Sequence, residues 1–139
     1  MKNPARIAQM LIRGTGVLLL LLGIPIWTGN ADGLVPLHTL LGIVLVLSLW
    51  GLAYLASQLG VSPRLVGLAY LWGLLAPILG LSQEHLASGN AHWLIQILHL
   101  LVGLVAIGIG EMLVMRLKSV DRFQHTSGGS ARRAARSDH

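Results

Sequence analysis

Residues 34–55 read LVPLHTLLGIVLVLSLWGLAYL, a run of 22 positions without a charged side chain. A helix needs about 20 predominantly apolar residues to cross a bilayer, so this stretch alone predicts a membrane span. Three others accompany it: Ile7 to Trp27, Leu65 to Leu81 and Ala91 to Leu117, of which Leu65 to Leu81 is the shortest at 17 residues. Over all 139 residues the chain is 54% hydrophobic and 11% charged, too apolar for an ordinary water-soluble domain. The reading is an all-α membrane protein with a four-helix up-down bundle over residues 1–118. A disordered basic tail is expected over residues 119–139, where Ser127-Gly128-Gly129-Ser130 is interspersed with arginines.

The charges orient the bundle. If the four segments alternate across the bilayer, all ten Lys and Arg residues fall on one side. Lys2, Arg6 and Arg13 lie at the start of helix 1 and Arg64 opens helix 3. Arg116, Lys118, Arg122, Arg132, Arg133 and Arg136 follow or end helix 4. The connections Thr28 to Gly33 and Ser82 to Asn90 carry none. The positive-inside rule then places both termini in the cytoplasm, with a bacterial plasma membrane as the expected location. The net charge of +5 reads as this orientation signal and as an attraction for anionic lipid. Nucleic acid is not expected as a partner, because no aromatic stacking platform accompanies the arginines. A cleaved signal peptide is the competing reading of the N-terminus, with Gly29-Asn30-Ala31 as a weak cleavage site; the repeat described next favours a retained helix 1.

The two halves of the chain share an order of markers. Arg13 or Arg64 comes first, then Pro25 or Pro77, then Gly29-Asn30-Ala31 or Gly89-Asn90-Ala91. Last is His38-x-x-x-Gly42 or His99-x-x-x-Gly103. Helices 1 and 2 thus read as one hairpin and helices 3 and 4 as its parallel duplicate, which puts His38 and His99 at similar depth on helices 2 and 4. On helix 4, His92, Gln96, His99, Gly103, Ala106 and Gly110 share a face. On helix 2, His38 and Gly42 share one with Leu45 and Leu49. Glycines on such faces serve close helix packing, or, at Gly42 and Gly103, clearance for a flat macrocycle.

A lone intramembrane histidine is most often held by a neighbouring carbonyl or hydroxyl. Two at one depth with the same local motif point to a shared ligand, and one haem suits a pair of neutral imidazoles. Zinc fits less well, because two histidines leave its usual third and fourth protein ligands missing. There is no cysteine to supply them. Glu84, His85 and His92 read as solvated boundary residues, and Glu111 as an ion-pair partner of Arg116 or Arg13. Trp27 and Trp93 fall where interfacial aromatics are expected, while Trp50, Tyr70 and Trp72 read as packing or lipid-facing residues.

These features resemble a reduced form of the cytochrome b family's four-helix haem bundle over about residues 7–117. The resemblance implies haem b between helices 2 and 4, with His38 and His99 as its iron ligands and Gly42 and Gly103 relieving contact with the ring. The family's second pair of histidines, thirteen or fourteen residues deeper, is replaced here by Gly51 or Leu52 and by Met112 or Leu113. At most one haem is therefore implied, and a quinone or a redox partner subunit would have to complete an electron path. Asn30, Asn90, His85 and His92 are left to meet the propionates.

The function so implied is electron transfer, or the haem-bearing anchor of an oxidoreductase. A cofactor-free protein that stabilises a larger complex is the alternative, and a small oligomeric transporter a further one. Catalysis by the chain alone is not expected, since no Ser/His/Asp set, paired carboxylates or phosphate-cradling loop is present.

Overall fold

The computed structural model describes residues 4–86 and 92–137, with side chains over 4–82 and 92–120. It is built from four helices, α1 (Pro4–Trp27), α2 (Val35–Gln58), α3 (Pro63–Leu86) and α4 (His92–Ser137), with a single 3-10 turn at Asp32–Leu34. All four contain a segment long and apolar enough to cross a membrane. Boundaries follow local chemistry. Pro4 and Pro63 open α1 and α3, where the missing proline N–H is not needed. Helix α3 is 24 residues long, not 17, because it runs from Pro63 on through the polar Ser82. Helix α4 continues as helix past Leu117, to Ser137.

Two glycines turn the chain. After α1, Gly29 adopts φ 70°, its N–H donates to the Ile26 carbonyl and the Asn30 N–H to that of Pro25. After α2, Gly60 adopts φ 74°, its N–H donates to Ser57 and the Val61 N–H to Ala56. Both are the six-to-one, five-to-two pattern that caps helix carbonyls when a glycine can enter the left-handed region. The apolar residue after the second cap, Val61, is buried in the core.

Short connections make consecutive helices antiparallel neighbours. Helix α2 packs on α1 and α3, α4 packs on α3 and α1, and α2 touches α4 directly; among the described residues α1 and α3 do not meet. The α2/α4 pair therefore forms the centre of the bundle, with α1 and α3 on its two sides.

Packing is uneven along the bundle. The core consists of Ile12 from α1, Leu45, Leu49 and Leu52 from α2, Ala69 from α3, and Ala106, Ile109 and Leu113 from α4, with their neighbours. They lie in the middle of the bundle and in the half nearest the 59–62 connection. Towards the 28–34 connection no residue is fully buried over 17–44 or 74–82, nor over 92–101 on α4.

Small residues bring the helices together in the tight half. A Cβ on Gly110 would lie 2.9 Å from Ile12 Cδ1, and one on Gly16 2.7 Å from Ile107 Cδ1, so α1 and α4 meet through glycine on both sides. Helix α3 is fastened by two indoles: Trp50 Nε1 donates to the Tyr70 carbonyl at 3.3 Å, and Trp72 Nε1 to the Val102 carbonyl at 3.0 Å. A Cβ on Gly73 would collide with Trp50 Nε1 and come within 2.9 Å of its Cδ1. Gly73→Ala should therefore displace the Trp50 ring and its hydrogen bond and lower stability by about 1–3 kcal/mol, the usual cost of overpacking. Gly67→Ala, where the added carbon meets nothing within 4 Å, should raise stability by up to about 1 kcal/mol through helix propensity. Denaturation midpoints in detergent check both.

Glu111 pairs with Arg13, the second of the two partners expected for it. Arg13 Nε donates to Oε1 at 2.5 Å and Nη2 to Oε2 at 2.7 Å, a two-pronged guanidinium–carboxylate contact from α1 to α4. Gln9 Nε2 adds a bond to Oε2 at 2.9 Å, and Lys118 Nζ reaches Gln9 Oε1 at 3.4 Å. Arg64, the sequence counterpart of Arg13, is the second residue of α3 and takes part in no such network among the described residues.

Candidate cofactor site

His38 lies in the first turn of α2, which starts at Val35 with Pro36 in its opening positions. His99 lies two turns into α4. Because α2 and α4 are in direct contact, these residues, 61 apart in sequence, come together. Their ring centres are 6.3 Å apart and their planes cross at 51°. In each ring Nδ1 is buried without a hydrogen-bond partner, and these are the only such side-chain atoms among the described residues. Other buried polar side chains are satisfied within their own helix: Thr15 Oγ1 donates to the Leu11 carbonyl and Ser48 Oγ to that of Val44. An orphaned polar atom costs roughly 1–3 kcal/mol, so two on neighbouring rings mark a place where the fold leaves hydrogen-bonding capacity unused.

Each imidazole has a glycine beside it on a flanking helix. A Cβ at Gly23 on α1 would sit 3.7 Å from His38 Cε1. One at Gly80 on α3 would sit 3.0 Å from His99 Cε1, 3.6 Å from Nδ1 and 3.7 Å from Nε2. Gly16 and Gly23 are seven residues apart on α1, as are Gly73 and Gly80 on α3. In both helices the first glycine meets a neighbouring helix and the second a histidine. Sequence reading passed over this matched Gly-x6-Gly spacing in a chain with 17 glycines, although it was the available signal. It relates the hairpins through an offset of 57 residues in α1/α3 and 61 in the histidine helices, whereas Arg13/Arg64 and Pro25/Pro77 imply 51 and 52.

Gly42 and Gly103, one turn beyond each histidine, face space: a Cβ on either would meet nothing within 4 Å. Gly42 lies in the loosely packed half of the bundle, and Gly103 at its edge, beside the buried Val102. Trp72, hydrogen-bonded to the Val102 carbonyl, joins α3 to α4 one turn beyond His99. Asn30 is tied into the α1–α2 turn by bonds from Nδ2 to Thr28. Asn90 and the side chains of Glu84 and His85 lie outside the described residues.

Chemically the site offers two nitrogen donors and no carboxylate or thiolate. No cluster of three or more His, Cys, Asp or Glu able to hold a metal occurs among the described residues. A metal held by protein groups alone would lack ligands here; one that brings a planar set of its own ligands would need only these two. No protein-family model, curated protein or solved structure matches this chain, and nothing in those comparisons links it to the cytochrome b family.

Proposed function

We propose that this chain is an integral membrane protein that binds one b-type haem through His38 and His99. Its role is electron transfer, or anchoring an oxidoreductase to the membrane. The observation that carries the reading is the pair of neighbouring imidazoles, each with an unsatisfied buried nitrogen. A first-row metal holds an imidazole nitrogen at about 2 Å, so two rings that share one ion would stand at most roughly 6 Å apart centre to centre. The 6.3 Å separation suits that arrangement. Porphyrin would supply the other ligands to its iron and ask the protein for two, the number this site has in His38 and His99. The open space beside Gly42 and Gly103 suits a flat group.

Bound haem would supply one-electron chemistry. The chain's own residues would do the rest: His38 and His99 ligate, Gly23 and Gly80 admit the two rings, and the Trp72 bond to Val102 holds the His99 helix in register with α3. A single site near one end of the bundle hands electrons on only with a quinone or partner subunit.

Insertion in a bilayer is supported by the outward faces, where Leu21 (61% exposed), Leu47 (59%), Leu81 (70%) and Leu101 (52%) represent all four helices. In water such a surface would be a large unpaid apolar area; in hydrocarbon it is matched. The one-sided distribution of cations favours cytoplasmic termini, which puts the histidines towards the opposite face.

The test is a reduced-minus-oxidised absorbance spectrum of protein purified in detergent from haem-replete cells. Wild type should show the bands of a six-coordinate b-type haem, and His38→Ala and His99→Ala should each lose them while eluting as folded protein. A colourless wild type overturns the haem reading; colour that survives both substitutions overturns the ligand assignment.

A further inference from the structure

At the opposite end from the histidines, an open hollow of about 520 Å³ lies between the start of α3 and α4, lined by Ser62, Arg64, Leu68, Met112, Arg116 and Ser119 among others. Such a volume is in the range of small-molecule sites. Its chemistry is divided. Arg64 and Arg116 stand at it with no ion-pair partner among the described residues, in contrast to Arg13 in its contact with Glu111. Leu68 and Met112, both exposed, continue its wall along the apolar exterior. The first turn of the 24-residue α3 adds its positive end to the same place.

We infer that this hollow seats the phosphate headgroup of an anionic phospholipid between Arg64 and Arg116, with an acyl chain running along Leu68 and Met112. Two unpaired guanidinium groups suit a phosphate, and an apolar wall leading away from them suits a lipid tail better than a soluble anion. The ring of cations expected at the cytoplasmic boundary is where anionic lipid is encountered. The inference rests on the membrane reading above and is independent of haem.

The experiment uses the full chain in detergent titrated with phosphatidylglycerol, phosphatidylcholine or inorganic phosphate, followed by native mass spectrometry and thermal midpoint. Phosphatidylglycerol should bind and raise the midpoint; the other two should not. Arg64→Ala with Arg116→Ala should weaken it roughly thirtyfold, about fivefold for each cation near the surface. Leu68→Trp, which keeps both arginines and narrows the hollow, should weaken it as well and serves if the double variant does not fold. Equal binding of both lipids, or inorganic phosphate displacing phosphatidylglycerol at equal concentration, overturns the inference. Release of the protein from membranes by alkaline carbonate would instead overturn the membrane reading, and haem absorbance should be unchanged throughout.

Discussion

Gly80→Leu is expected to remove most haem absorbance while the four helices stay assembled. The position allows little else. A single carbon there would already lie 3.0 Å from His99 Cε1 and within 3.7 Å of both ring nitrogens, so a leucine would take the space the imidazole occupies. His99 would have to leave its rotamer and turn from His38. The α3 face at Gly80 is otherwise only half-buried, which lets the helix accept the larger residue. Gly80→Ala should lower haem occupancy without abolishing it, since a shift of a few tenths of an ångström relieves the contact. Gly23→Ala should leave the spectrum unchanged, because its carbon would make an ordinary 3.7 Å contact with His38. Haem titration of the three variants checks the order. A Gly80→Leu protein with wild-type spectrum and midpoint potential would show that His99 does not depend on this gap.

Leu49→Ala should be the most damaging truncation for the bundle. Leu49 is fully buried, in a cluster with Ile12, Leu52, Ala106 and Leu113, and its Cδ1 lies 3.6 Å from where a Cβ on Gly110 would stand. It thus fills the centre of the α2/α4 contact. Within a bilayer the separated helices keep their leucines in hydrocarbon, so most of the transfer term drops out and lost packing remains. The expected cost is about 2–3 kcal/mol, the lower part of the range for buried Leu→Ala. Leu47→Ala, on the outward face at 59% exposure, should cost a small fraction of that. Unfolding of both variants by SDS in mixed micelles provides the comparison. Equal losses would mean that Leu47 is covered by another chain.

Much of the architecture was legible in the residues because long apolar runs leave a chain so few choices. A charge-free run of 22 residues permits a helix and little else, and Pro63 and Gly60 punctuate the α2–α3 turn. The helical faces were legible too: Leu45, Leu49, Ala106 and Gly110 turn inward as their spacing requires. Glu111 had two arginines within reach by sequence, and only the α1/α4 contact selected Arg13. Trp50 and Trp72 read as packing or lipid-facing residues; their bonds to carbonyls on the next helix depend on how far α3 slides along α2 and α4. The repeat was visible through Arg and Pro markers whose side chains do different work in the two halves, while the glycines that do equivalent work were hidden among many.

The sequence by itself determined four apolar helices, their order, and two histidines on the second and fourth. Helix formation in an apolar segment is a local matter, settled by backbone hydrogen bonds that have no other partner. The tertiary structure decided that α2 and α4, rather than α1 and α3, meet across the bundle, and that His38 and His99 come within 6.3 Å of each other with Gly23 and Gly80 beside them. That choice depends on where small residues let backbones approach and where large ones hold them apart, a sum over contacts between distant parts of the chain that no single helix contains.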